Sequence, residues 1–321
     1  MENFLKPQLE YLLILQNFRE STHGIFDWLF CHITMFGEYC IAMFVIAFFY
    51  WMINKKCGIY MIWNFFGAVV FNQFLKVSAC IYRPWILDSR IHPIESAMKY
   101  ATGYSFPSGH TAIATGTYGA LTAKFWSNKI VRYSLITVVL LIAFSRNYLG
   151  VHTPQDVVVS MIIGVILLCL TSKVLNWVEK GKNRDLIVFG TITILCVLLM
   201  IYTELKQYPI DYLNGQILVD PVKMRYESFP KAGFAMGAFL GWLLERRFVN
   251  FEAPKCKLLG KIIFFAIGAT ILYFLQEYLT PIFLQYMPVA IGRFSSCFLI
   301  SMYITVLYPL VINFYNKNFT K

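Results

Sequence analysis

The sequence predicts an all-α polytopic membrane protein with about nine transmembrane helices, and three observations lead there. Of 321 residues, 58% are hydrophobic and only 14% charged, where an average soluble chain carries about 25% charge. Mean hydropathy is +0.59. Long apolar runs, most near the ~20 residues that cross a bilayer, alternate with short basic clusters.

Residues 1–29 read as an amphipathic segment lying in the membrane interface, because Lys6, Glu10 and Arg19 interrupt its Leu and Ile residues. That mixture suits an interfacial helix better than a signal peptide. Apolar runs follow at 30–53, 59–77, 110–126, 131–148, 157–177, 186–202, 232–244, 258–279 and 289–314, the seventh being short. Basic clusters follow alternate runs: Lys55 and Lys56; Lys124, Lys129 and Arg132; Lys173, Lys180, Lys182 and Arg184; Arg246, Arg247, Lys255, Lys257 and Lys261; Lys317 and Lys321. The positive-inside rule puts these loops in the cytoplasm, with the N-terminus outside and the C-terminus inside. Loops 83–106 and 146–153 then face away from the cytoplasm. The charged stretch 179–185 separates a core at 30–178 from C-terminal helices at 186–321, to which no role is assigned.

The net charge of +11 is explained by topology, which argues against nucleic acid as a partner. Eight scattered cysteines without C-x-x-C spacing imply neither a metal site nor a disulfide framework. Gly233, Gly237 and Gly241 form a small-residue stripe for close helix packing. Glu277 and Arg293 are expected to form a structural ion pair between neighbouring spans, with lipid headgroup contact as the alternative.

Three blocks carry chemistry. The first is Lys76-x6-Arg83-Pro84. If helical, its two cations lie two turns apart on one face, about 10 Å along the axis, with Pro84 placed to stop or redirect the helix. They flank an anion or, equally well, snorkel to headgroups. The second is Pro107-Ser108-Gly109-His110, the end of the stretch TGYSFPSGH. Ser108 is a helix-start residue, Gly109 permits close approach to the backbone, and His110 falls in the first turn, where free N–H groups attract anions. The alternative is an ordinary helix start. The third is Ser145-Arg146-x5-His152-x3-Asp156. Thr153, Pro154 and Asp156 suit a capping-box-like start, which accounts for Asp156 without chemistry. Equally, Asp156 stands four residues after His152 and can reach one imidazole nitrogen, leaving the other as nucleophile.

Jointly, three such matches arise by chance in about one chain in millions. The blocks match the three signatures of the type 2 phosphatidic acid phosphatase (PAP2) superfamily, which the chain resembles over Lys76 to Asp156 at every signature position. The resemblance implies a PAP2-type helical core and a membrane phosphatase acting on lipid phosphate monoesters or diphosphates through a phosphohistidine intermediate. It implies His152 as nucleophile, Asp156 as its orienting partner and His110 as general acid. Lys76, Arg83, Ser108, Gly109, Ser145 and Arg146 would bind phosphate. No cofactor or metal is implied, since three cations and a helix start can neutralise a transferring phosphoryl group. Tyr82, Trp85, Tyr104 and Phe106 flank the site and favour a lipid substrate at the interface. A sugar phosphate, as in the glucose-6-phosphatase branch, is the enzymatic alternative; a non-enzymatic lipid-phosphate binding or transport protein is the other.

Overall fold

The computed structural model describes residues 2–99, 101–213 and 215–319, without the side chains of 2–4 and 319; Lys321 of the last basic cluster lies outside the described residues. Helices run α1 Glu2–Ser21, α2 Asp27–Met35, α3 Tyr39–Phe48, α4 Lys55–Ala79, α5 Pro84–Leu87, α6 Glu95–Met98, α7 Gly109–Ala114, α8 Ala120–Lys124, α9 Lys129–Tyr148, α10 Pro154–Glu179 and α11 Arg184–Leu205. After a small hairpin, β1 Tyr212–Leu213 and β2 Gln216–Ile217, come α12 Pro221–Tyr226, α13 Ser228–Leu244, α14 Leu258–Tyr286, α15 Val289–Met302 and α16 Tyr308–Phe319. Single π-helical turns extend α3 and α13, join α7 to α8, and join α15 to α16.

Six helices among the described residues are long and apolar enough to cross a membrane, and seven if α2 and α3, bent by 53° at Phe36–Glu38, count as one. The expected nine is too many. The run 110–126 forms a short helix whose residues Thr111 to Tyr118 are buried and which packs along α9. Its regular α-helical pieces, α7 and α8, have only six and five residues, too short to cross a bilayer. The run 232–244 is apolar but short: α13 has 17 residues, fewer than the ~20 that cross a bilayer, and is mostly buried.

The chain forms two units, each built from separate stretches of sequence, residues 1–42, 71–168 and 206–224 in one, 43–70, 169–205 and 225–321 in the other. In the first, α1 is held by Gln8, whose Oε1 accepts from Gln155 N at 2.8 Å, and by Arg19, which donates to the His92 carbonyl at 2.6 Å. Gly150 takes a left-handed φ of +73° directly before the His152 loop, and a Cβ there would lie 3.1 Å from Pro93 Cα. Glycine answers both demands at once.

In the second unit, α13 lies against α15 along the predicted glycine stripe. Side chains at Gly233 and Gly237 would collide with the Phe294 and Phe298 carbonyls, and one at Gly241 with Thr305. Trp51 and Tyr50 donate to the Ile304 and Thr305 carbonyls at 2.8 and 3.0 Å, and Lys55 pairs with the fully buried Glu245 at 2.6 Å. The expected Glu277–Arg293 ion pair does not form among the described residues; Glu277 is exposed.

Two glycines separate packing from propensity. Gly237→Ala places a methyl group against backbone that cannot yield, so it should cost about 1–3 kcal/mol and lower the unfolding temperature in detergent. Gly190→Ala, in α11 with no atom within 4 Å of its Cβ position, should stabilise by about 0.5–1 kcal/mol. Equal thermal shifts for the two variants would contradict the close α13–α15 contact.

Candidate active site

The three blocks converge within the first unit, each on a different kind of local structure. Helix α4 ends at Ala79, because Cys80 adopts a left-handed φ of +49°. Arg83 therefore does not share a helical face with Lys76, as the spacing had suggested; it sits in extended conformation immediately before α5. Backbone carbonyls fix both cations instead. Lys76 Nζ donates to Tyr104 O at 2.8 Å, and Arg83 donates to Gly103, Thr102 and Val151 O at 3.1, 3.3 and 2.8 Å.

The second block is a helix start as predicted. Ser108 caps α7, its hydroxyl accepting from Thr111 N at 3.4 Å and Thr111 Oγ1 at 3.0 Å. Nothing lies within 4 Å of a Cβ placed on Gly109, so open space adjoins the backbone there. His110 is half-buried in the first turn.

The third block closes the site. Arg146, buried near the end of α9, donates to Thr34 Oγ1 at 2.6 Å, while its Nε has no partner among the described residues. Ser145 spends its proton on the Ile142 carbonyl of its own helix at 2.7 Å. His152 lies in the loop before α10, held by Asn147 Nδ2 on its carbonyl at 2.8 Å. Its Nδ1 is 3.2 Å from Asp156 Oδ2, and its Nε2 is 3.0 Å from Arg83 Nη1. Asp156 also caps α10, since the same Oδ2 accepts from Thr153 N at 2.9 Å. The capping and imidazole-contact accounts of Asp156 therefore hold together. Ser108 N donates to the Asp156 carbonyl at 3.0 Å, tying block two to block three.

Electrostatically the site is poised for an anion. Burial, then the charges of Arg83, Arg146 and Lys76, push His152 well below its ordinary value, so its imidazole is neutral where a free histidine would begin to protonate, near pH 6.5. Among the described residues no group of three or more His, Cys, Asp or Glu is arranged to hold a metal ion. Of the flanking aromatics, Tyr104 is buried and Tyr82, Trp85 and Phe106 are half-buried. The Arg83 guanidinium lies 5.9 Å from the Trp85 ring centre.

Three contributors escaped the sequence reading. Ser105 touches both His152 and Asp156. Thr34 holds Arg146. Gly37, at the α2–α3 bend, leaves room for His110: a Cβ there would lie 3.0 Å from His110 Cβ and 2.9 Å from Ile142 Cγ2. Only Ser105 adjoins a recognisable block, so the other two carried no signal.

The chain is similar to three characterised proteins. An undecaprenyl-diphosphatase of Sulfolobus acidocaldarius is 32% identical over 111 residues, covering 35% of this chain and 52% of that protein. The undecaprenyl-diphosphatase BcrC of Bacillus subtilis is 25% identical over 149 residues, 45% of this chain and 72% of the relative. A lipid A 4'-phosphatase of Porphyromonas gingivalis is 25% identical over 180 residues, 52% and 72% respectively. This chain thus spans about half the length of the first relative and nearly three quarters of the other two. No solved structure matches it significantly. Family profiles match twice, the PAP2 superfamily over residues 57–180 and the PAP2 superfamily phosphatase transmembrane extension over 229–317. The first match encloses all three blocks and the second falls on the C-terminal helices, and on these grounds the chain belongs to the membrane-associated branch of the PAP2 phosphatase superfamily.

Proposed function

We propose that the protein is a membrane phosphatase that hydrolyses lipid phosphate monoesters or diphosphates through a phosphohistidine at His152. The contact that carries the reading is His152 Nδ1 against Asp156 Oδ2 at 3.2 Å. A proton held on Nδ1 by the carboxylate leaves the lone pair on Nε2. In the free protein Arg83 donates to that nitrogen at 3.0 Å. An arriving phosphate takes the guanidinium onto its own oxygens and uncovers the nucleophile beside the phosphorus. Nε2 attacks, the bond to the leaving oxygen breaks, and His110 gives that oxygen a proton. Burial and the cations hold His110 below its ordinary value in the free protein, so it takes up that proton when the anionic phosphate binds beside it. Water then attacks the phosphohistidine, with His110 accepting its proton.

Lys76, Arg83, Arg146, the Ser108 hydroxyl and the Gly109 N–H stabilise the equatorial oxygens, work that needs no metal ion. Ser145 supports this cradle through the helix that carries Arg146. A lipid substrate is favoured because two relatives are named for undecaprenyl diphosphate and one for the 4'-phosphate of lipid A. We assign the site to the non-cytoplasmic face from the basic loops, residues 1–29 to the interface, 30–178 to the catalytic core and 186–321 to helices whose task is open. A sugar-phosphate phosphatase differs only in leaving group. A pure binding protein requires the cations but not the His152–Asp156 pair.

Purified protein offered phosphatidic acid, a polyprenyl diphosphate, sphingosine phosphate and glucose 6-phosphate should release phosphate fastest from a lipid. Glucose 6-phosphate in first place would transfer the assignment to the sugar-phosphate branch. His152→Ala should abolish release, and Asp156→Asn should lower kcat at least about tenfold in a folded protein; a His152→Ala enzyme with normal turnover excludes the phosphohistidine.

Charge and protonation give a second test. Hydrolysis should persist in excess EDTA, and vanadate should inhibit competitively. Arg146→Ala should weaken vanadate inhibition and kcat/KM together, whereas Arg293→Ala should leave vanadate inhibition within about twofold. Because burial and three cations lower the His152 pKa, the acid limb of kcat/KM, which reports the free enzyme, should fall below about pH 6.5. Activity lost to EDTA and restored by Mg2+ would overturn the metal-free site.

Orientation is tested separately. In a cysteine-free background, a cysteine at the exposed Ser89 should react with an impermeant thiol reagent added outside, and one at the exposed Asn183 should not. The opposite pattern moves the site to the cytoplasm.

A further inference from the structure

Ser105 stands two residues before the P-S-G-H block and belongs to none of the three signatures. Its side chain is closed off from solvent, 1% exposed. Two backbone contacts tie it to the first block: its N–H donates to Ile81 O at 2.7 Å, and its carbonyl accepts from Lys76 Nζ at 3.4 Å. The hydroxyl oxygen then lies 2.5 Å from Asp156 Oδ2 and 3.3 Å from His152 Nδ1. Serine, aspartate and imidazole form a closed triangle.

With Asp156 ionised, proton accounting within the triangle has one consistent solution. An ionised carboxylate only accepts, so the serine O–H must be the donor across the 2.5 Å contact. With its single proton spent there, the serine oxygen can only accept from Nδ1. Both neighbours of Nδ1 are therefore acceptors, and Nδ1 must carry the proton. We infer that Ser105 is a positioning residue that locks His152 in the Nδ1–H tautomer, leaving the lone pair on Nε2. The inference rests on the reading of His152 as nucleophile. Ser105 does not touch substrate; it acts through Asp156 and the imidazole. Its donation also spreads the charge of Oδ2 over three donors, the others being Thr153 N–H and His152 itself. Without the serine proton the His152–Asp156 pair binds a proton more readily, because the carboxylate loses a neutral donor that favoured its ionised form. The other groups facing the pair are Lys76, Arg83, Arg146 and His110, and none of them changes.

The test compares Ser105→Ala with Ser105→Thr, which keeps the hydroxyl, and with His152→Ala. Ser105→Ala should lower kcat about tenfold or more, leave KM and the vanadate inhibition constant within about twofold, and move the acid limb of kcat/KM to higher pH. Ser105→Thr should recover most of the lost kcat and the original acid limb. Vanadate binding shows that the Ala variant is folded with its cations in place, so it distinguishes positioning from collapse. The inference is overturned by a Ser105→Ala enzyme with unchanged kcat and pH profile, by loss of vanadate inhibition in parallel with kcat, or by a Thr variant as slow as the Ala variant. His152→Ala separates this from the nucleophile assignment. If it is inactive while Ser105→Ala is normal, only the role of Ser105 fails; if it is fully active, the nucleophile assignment falls first.

Discussion

The Oδ2 atom of Asp156 accepts from the Thr153 backbone N–H, from the Ser105 hydroxyl and from the His152 imidazole, and the arrangement of the site hangs on that single oxygen. Removing the carboxylate would release the start of α10, the loop leading into α7 and the orientation of the histidine together. Its neighbourhood reinforces the same junction. The Asp156 carbonyl accepts from Ser108 N at 3.0 Å and from Ser160 Oγ at 2.9 Å, and Ser160 also donates to the Ser108 carbonyl at 2.9 Å. An aspartate buried this completely is tolerable only with such partners, because a buried carboxylate stripped of its donors bears a desolvation penalty of several kcal/mol.

Around this junction stand three buried cations, and what holds them matters as much as where they are. Carbonyl oxygens orient Lys76 and Arg83, and a threonine hydroxyl orients Arg146. A carbonyl or hydroxyl fixes the direction of a cation without itself supplying a countercharge. The cost is a set of like charges gathered in a low-dielectric setting. A bound phosphate, as proposed above, would offset it, which is the pattern of a site whose stability has been traded for function. Burial first, and then the same field, push His152 below its ordinary value: positive charges close to an imidazole keep protons off it.

Much of the site was legible because its chemistry is written in local spacing. A serine before glycine and histidine made a helix start, and Thr153, Pro154 and Asp156 made another; the first formed with its side-chain cap, the second through Asp156 on the Thr153 N–H, while the Thr153 hydroxyl makes no capping bond among the described residues. The end of α4 was not legible. Cys80 takes a left-handed conformation that sequence reading reserves for glycine and asparagine, so nothing before Pro84 marked a stop, and Lys76 and Arg83 were placed on one helical face. Thr34 and Gly37 were silent because they reach the site across the fold, from a bend outside the matched stretch 57–180. The span count erred for reasons of length and packing. Hydropathy cannot distinguish a lipid-facing helix from one enclosed by its neighbours, and the short helix beginning at Gly109 and the glycine-rich α13 are of the enclosed kind.

Asp156 also shows why local rules and catalytic rules need not compete. A capping carboxylate at the third position of a helix points back toward the residues just before it, and the residue directly before the cap is His152. The helix start thus aims the acceptor at the imidazole as a by-product of ending its own unsatisfied N–H groups. A histidine placed one residue before an N-cap obtains its carboxylate contact from helix geometry, and the proposed nucleophile His152 is such a histidine. Spacing of four between His152 and Asp156 is then a structural necessity of this arrangement, with Pro154 at the first helical position fixing the backbone angle between them.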